Sequence, residues 1–297
     1  MSLLPLKPGD RIELVAPSSP FEAAGLQHAC ELLESDGYRV TFGKHAFNRK
    51  GYLAGNEAER AEDLIRAVTD PDIAAIVCIR GGYGSSRLLP WLPFSAFEKH
   101  PKFFLGHSDI TFLHLAFRSR MSWVTFHGPN AMGISSKPNQ SENVLKVFRG
   151  EEEFCWKFDE TQIIKPGVAS GEVFGGNLTC MAHLLGTPYF PDPSGALLLI
   201  EDRGEVLYRL DRLFTHLKLA GVMERLGGLI LGDLTECGDI RAILDMVSEQ
   251  VSPYRFPVVA KLPFGHGEEN QVIPFGIPFS LNTFDRTLKA LRSPFAK

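Results

Sequence analysis

The 297-residue sequence predicts an α/β protein: an N-terminal open, mostly parallel sheet with flanking helices, followed by a second, smaller α/β domain. Three observations predict it. Short apolar runs at 11–16, 74–79 and 103–105 alternate with stretches of helical spacing, the pattern of right-handed βαβ units. The run AAIVCI at 74–79 is almost continuously apolar, as a central strand covered on both faces must be. A polar, proline-containing, charge-rich stretch across 136–169 shows no sustained period and divides the alternation in two. The expected organisation is therefore a first domain over 1–135, a linker over 136–169 and a second domain over 170–297.

Taken in order, RIELVA at 11–16 is a strand, and the PSSP loop after it leads into a helix over 21–35 that stops near Gly37. Residues 38–42 form the next strand. A glycine-containing loop at 48–56 precedes a charged amphipathic helix over 57–68. The 74–79 strand runs into a glycine loop, RGGYGSS at 80–86. Strands at 103–105 and 123–126 bracket a helix over 110–119. In the second half, strands at 171–174, 196–200, 229–231 and 256–260 alternate with helices at 178–185, 207–219 and 240–251. The proline and glycine rhythm of 273–284 suits short antiparallel strands or a loop returning to the sheet. No internal repeat is apparent.

Composition narrows the function. A formal charge of −4 and the lack of a basic run argue against nucleic acid as a partner. The five cysteines are odd in number and form no C-x-x-C pair, which argues against a disulfide framework or a thiolate metal site and fits a reducing cytosol. The opening MSLLPLKPGDRIE has too short an apolar run for a signal peptide. No run approaches the roughly 20 residues of a membrane span. A soluble, cytoplasmic protein with no membrane partner is expected.

The chemistry centres on FFLGHSDIT at 103–111. A serine at a tight strand-to-helix turn is pushed out of the sheet, beside the N–H groups and positive dipole end of the following helix. The stretch is not G-x-S-x-G, because Ile110 stands where the second glycine would be. Ser108 is thus either a nucleophile or an N-cap. In a parallel sheet, ligands bind beyond the carboxyl ends of the strands, so the Gly81 loop and the Ser108 turn should share one crevice. The loop lacks the third glycine and the later acidic residue of a dinucleotide fingerprint, and has no Gly-Lys-Ser/Thr. What remains is a wall of N–H groups facing an oxyanion, or a structural turn.

A serine needs a base to take its proton and an acid to orient that base. His107, adjacent in the chain, diverges from Ser108 at a sharp turn. His28, His45, His100 and His216 lie in helical or polar surroundings, and His114 and His183 fall on helix faces. His127 follows a strand and could reach the crevice, but His266 is the better candidate because glycines flank it directly after a strand. Glu201 caps the run ALLLI, so its carboxylate should be buried and in need of a partner. Asp202 is its rival, and strand alternation sends the two side chains opposite ways.

The sequence resembles the LD-carboxypeptidase family of serine peptidases, the muramoyltetrapeptide carboxypeptidase group that also contains the microcin C immunity peptidases. The matching segments are LKPGDRIELVAPSSP from Leu6, IRGGYGSSRLLP from Ile79 and FLGHSDIT from Phe104. In the second half they are GEVFGGNLTCMAHLLGTPYFPD from Gly171, LLLIEDRGEVLYRLDRLFTHL from Leu197 and LPFGHGEEN from Leu262. The resemblance implies Ser108 as nucleophile, His266 as general base and Glu201 as the orienting acid. It also implies an oxyanion hole from the backbone N–H groups of Gly82 and Asp109. His107 stands where the family usually carries an aromatic residue such as tyrosine. The implied activity is release of terminal D-alanine from cell-wall tetrapeptides in the cytoplasm by a homodimer, with no cofactor or metal. A peptidyl-nucleotide substrate is the alternative, for which Tyr83 or Trp123 could stack on a base. A non-catalytic or dinucleotide-binding protein on the same fold is the remoter one.

Overall fold

The computed structural model describes residues 3–121, 123–136 and 138–296; Lys137, within the expected linker, and the chain's first two residues, Ser122 and Lys297 lie outside it. Five strands of the first half come in the anticipated places: β1 (Arg11–Val15), β2 (Arg39–Phe42), β3 (Ile73–Cys78), β4 (Phe103–Gly106) and β5 (Thr125–His127). All their pairings are parallel, in the order β5-β4-β3-β1-β2. The crossovers include α1 (Gln27–Ser35), α2 (Glu57–Thr69), α3 (Phe94–Phe97) and α4 (Thr111–Arg120). Asn56 starts α2 with a reciprocal cap, accepting from Glu59 N at 3.0 Å while Glu59 Oε2 accepts from Asn56 N at 2.8 Å. The segment after the glycine loop, Ser85–Trp91, is a 3₁₀ helix with Pro90 near its end, where no N–H is available to continue the ladder.

The stretch 136–169 carries α6 (Pro138–Phe148), preceded by α5 (Ala131–Ser136), and the short strands β6 (Cys155–Lys157) and β7 (Ile163–Lys165). Then follow β8 (Val168–Asn177), α7 (Leu178–Leu184), β9 (Leu197–Arg203), α8 (Leu207–Leu219), β10 (Gly228–Thr235), α9 (Ile240–Val251) and β11 (Val258–Val259). β8, β9, β10 and β11 are parallel neighbours at the heart of an eight-stranded sheet. Antiparallel β7 closes one edge. At the other edge lie β13 (Pro278–Asn282), β14 (Thr287–Ala290) and β6. This second sheet therefore has more strands than the first. The returning tail forms short antiparallel strands as anticipated, but β12 (Ile273–Phe275) crosses back to the first sheet and pairs with β5.

The two sheets are welded by apolar packing. One buried cluster contains Phe104, Leu113 and Phe117 from the first half together with Phe174, Leu198 and Ile200 from the second. At this seam Thr111 Oγ1, on the first turn of α4, accepts from Asn177 N at 2.9 Å. Burying large aliphatic and aromatic side chains contributes about 1.5–3 kcal/mol each, so the halves are held in a fixed relation.

Candidate active site

The turn after β4 is strained. Ser108 has φ +66°, a left-handed conformation that a residue with a Cβ adopts at a cost of about 1–3 kcal/mol. Its surroundings hold it there. His114 accepts from Thr125 Oγ1 through Nδ1 (2.9 Å) and donates from Nε2 to Gly106 O (2.8 Å), which locks the strand end. Burial pushes this imidazole's pKa down to about 4, so the neutral tautomer that makes these two bonds persists. Asn130 Oδ1 accepts from His107 N at 3.1 Å. Ser108 is not an N-cap: it begins a 3₁₀ turn, Ser108–Ile110, whose capping position falls on His107.

The glycine loop fits against that turn. A Cβ on Gly81 would lie 2.7 Å from Ser108 Cβ and 2.9 Å from Ser108 Oγ. Gly82 has φ +100°, and Ser19 Oγ fixes the loop by accepting from Tyr83 N at 3.1 Å. On the other side, the buried Asp109 carboxylate accepts from Ser18 Oγ at 2.5 Å and from Ser85 N at 2.8 Å. Burial raises its pKa, and the bonds from Ser18 and Ser85 oppose that rise. Asp109 thus ties the β1 loop and the glycine loop to the residue following Ser108.

The second half contributes a buried acid and a histidine. Glu201, fully buried on β9, accepts from His266 Nδ1 through Oε2 at 2.6 Å. Gly265 makes the approach possible, since a Cβ there would lie 2.7 Å from Glu201 Oε2, and its φ of +112° excludes most side chains. Asn270 Oδ1 anchors the same loop by accepting from Gly265 N at 3.0 Å. Burial by itself lowers the His266 pKa, but the charge and hydrogen bond of Glu201 more than offset it, and the net shift is upward. Asp202 faces the other way and is spent on Asn177 Nδ2 (2.8 Å), Thr179 N (2.9 Å) and Thr179 Oγ1 (2.9 Å). Alternation along β9 separates the two acids as anticipated.

Ser108, Gly82, Asp109 and His266 line one cleft of about 640 Å³ between the sheets, with Glu201 buried behind His266. Among the described residues no hydrogen bond joins Ser108 to His266; such contacts commonly tighten only when substrate binds. The N-terminal wall includes Tyr83, Leu89, Pro90 and Phe112. The C-terminal wall is polar, with Thr179, His183, Asp202, Arg203 and Glu205.

Models of the LD-carboxypeptidase N-terminal and C-terminal domains match residues 12–128 and 170–281. The chain belongs to the LD-carboxypeptidase family of serine peptidases. It is 35% identical to the probable murein peptide carboxypeptidase of Bacillus subtilis, over 95% of this chain and 92% of that one. It is 32% identical to the murein tetrapeptide carboxypeptidase of Pseudomonas aeruginosa, over 90% of this chain and 91% of that one. The fold is also that of MccF solved with glutamyl sulfamoyl guanosine, at a TM-score of 0.90, 23% identity and 99% of each chain.

Two residues considered for this LD-carboxypeptidase's crevice lie elsewhere. His127 is fully buried behind the turn, stacked on Phe275 with ring centroids 5.5 Å apart. Trp123 is buried against Phe97, with ring centroids 6.3 Å apart, and is not in the cleft. Sequence reasoning missed Ser18, Ser19, Asn130, Asn177 and Asn270. All five are polar residues at strand ends or in tight loops, a weak signal that resolves only when their distant partners are known. Among the described residues, no helix is long and apolar enough to cross a membrane.

Proposed function

We propose that this LD-carboxypeptidase hydrolyses the amide linking terminal D-alanine to the L-centre of the diamino acid in cell-wall tetrapeptides. The reading that goes with it is a cytoplasmic recycling step carried out by a homodimer without a cofactor. The observation that carries it is the 2.6 Å bond from His266 to buried Glu201, in a cleft whose opposite wall bears the strained Ser108 turn.

In this reading, Glu201 holds His266 with Nδ1 protonated, leaving Nε2 free to take the Ser108 proton as Oγ attacks the scissile carbonyl. The N–H groups of Gly82 and Asp109 hold the developing oxyanion; each such donor contributes roughly 2.7–4 kcal/mol to the barrier reduction. His266 then protonates the departing amine of D-alanine. Water, deprotonated by the same imidazole, hydrolyses the acyl-enzyme and restores Ser108. The acid and base come from one half and the nucleophile from the other, so the apolar seam between the sheets is a condition of activity.

The test is product analysis by mass spectrometry with tetrapeptides that vary in the third residue and in the chirality of the terminal residue. Release of D-alanine, with the L-terminated peptide left intact, supports the reading. Cleavage of the L-terminated peptide alone refutes it. A second reading, cleavage of a peptidyl-nucleotide, is favoured by the MccF-like fold and the exposed Tyr83 on the cleft wall.

A further inference from the structure

Tyr83 is the only exposed large apolar side chain, among the described residues, that lines the cleft. Tyr83 is 48% exposed. It meets the ring of Tyr52, itself 63% exposed, at 5.8 Å between centroids and 58° between planes. The backbone beneath both rings is anchored. Tyr83 N donates to Ser19 Oγ at 3.1 Å, and Arg60, buried below the loop, donates to Gly84 O at 2.8 Å. Tyr52 sits on a tight hairpin closed by bonds between Lys50 and Leu53, with Ala54 N donating to Ser18 O at 2.9 Å. Two exposed aromatic rings thus stand on anchored backbone beside the glycine loop. A tyrosine has only two side-chain torsions to order, so it supplies a large contact area at low entropic cost.

We propose that Tyr52 and Tyr83 form a subsite for the pyranose ring of a sugar-linked peptide, an inference that rests on the tetrapeptide reading above. The apolar C–H face of a pyranose packs on an aromatic face, while its hydroxyls and the tyrosine hydroxyls stay in water. The position of Tyr83 next to Gly82 suits it. In a cell-wall tetrapeptide three residues lie between the sugar and the scissile amide, and three extended residues span at most about 10 Å. Tyr83 directly follows Gly82 on the cleft wall, and the Tyr52 ring lies 5.8 Å from the Tyr83 ring. A phosphate-linked nucleotide fits less well, because the cleft offers its charge little. Among the described residues the only lysine or arginine lining the cleft is Arg203, on the opposite wall and paired to Glu236 at 2.8 Å.

The test is the ratio of kcat/KM for D-alanine release from sugar-linked tetrapeptide to that from free tetrapeptide. It is measured for the wild type, Tyr52→Ala and Tyr83→Ala, with an aminoacyl-sulfamoyl adenosine as a further substrate. Because the readout is a ratio, any general loss at the neighbouring oxyanion site cancels. The wild type is expected to prefer the sugar-linked substrate about fivefold to tenfold, and both variants to bring the ratio to about one. A ratio that the variants leave unchanged overturns the subsite while the carboxypeptidase reading stands. A selective loss on the adenosine substrate, with the sugar ratio intact, also overturns it. No D-alanine from either peptide instead removes the reading beneath it.

Discussion

His266 Nδ1 donates to Glu201 Oε2 at 2.6 Å across 65 residues of sequence, and the acid is fully buried while the imidazole reaches the cleft. The bond makes the imidazole more basic, because the carboxylate's charge outweighs the burial that would lower its pKa. A base works only when unprotonated, so the acid limb of kcat/KM should lie above the ordinary histidine value near 6.5. In Glu201→Gln the charge is gone and burial remains, so the limb should move to lower pH while the rate falls by roughly 10²–10⁴-fold. A pH series with tetrapeptide checks both; the same limb in both proteins would show that Glu201 does not set the base.

Gly81 tests the geometry from the other side. Its Cα is so placed that a methyl group would sit 2.7 Å from Ser108 Cβ, and Ser108, strained at φ +66°, has little room to yield. In Gly81→Ala, kcat/KM should fall by about 10²-fold or more, as expected of a displaced reacting atom; the crowding should also lower the melting temperature modestly, while circular dichroism shows the wild-type fold. A variant of full activity would place the nucleophile elsewhere.

Much of this arrangement was legible in the sequence, and the limit has a physical cause. The Ser108 turn and the Glu201 strand end are local features, announced by an apolar run that stops at a glycine or an acid. Alternation along β9 already separated Glu201 from Asp202. The grips that hold the site were not legible. Asp109 meets Ser18 across 91 residues, and Asn177 meets Thr111 across 66, and no local pattern encodes such pairs. The destination of β12 was hidden for the same reason: a three-residue strand carries no mark of which sheet it will join. The stretch 136–169 hid its elements because α6 opens on a polar, proline-led run, and the two strands after it are three residues long and lie on sheet edges.

His114 makes acid stability measurable. Its folded pKa, near 4, lies below the unfolded value near 6.5. Between those values the unfolded chain binds the extra proton, so stability rises with pH across the window and is lost as pH falls through it. The full term is about 3 kcal/mol by pH 4. His114→Gln should be less stable at neutral pH, since its amide cannot reproduce both bonds, but its melting temperature should fall less between pH 6.5 and pH 4. Calorimetric melts across that range decide it; parallel curves for the two proteins would contradict the assignment.

The relay itself is tested most directly by covalent capture. Intact-protein mass spectrometry after brief exposure to a fluorophosphonate should show one adduct on the wild type, mapped to Ser108, and none on Ser108→Ala. His266→Gln should acquire it at least 10²-fold more slowly, and D-alanine release from tetrapeptide should fall in step across the three proteins. Undiminished release by Ser108→Ala, or a label that forms as fast without His266, would contradict the account.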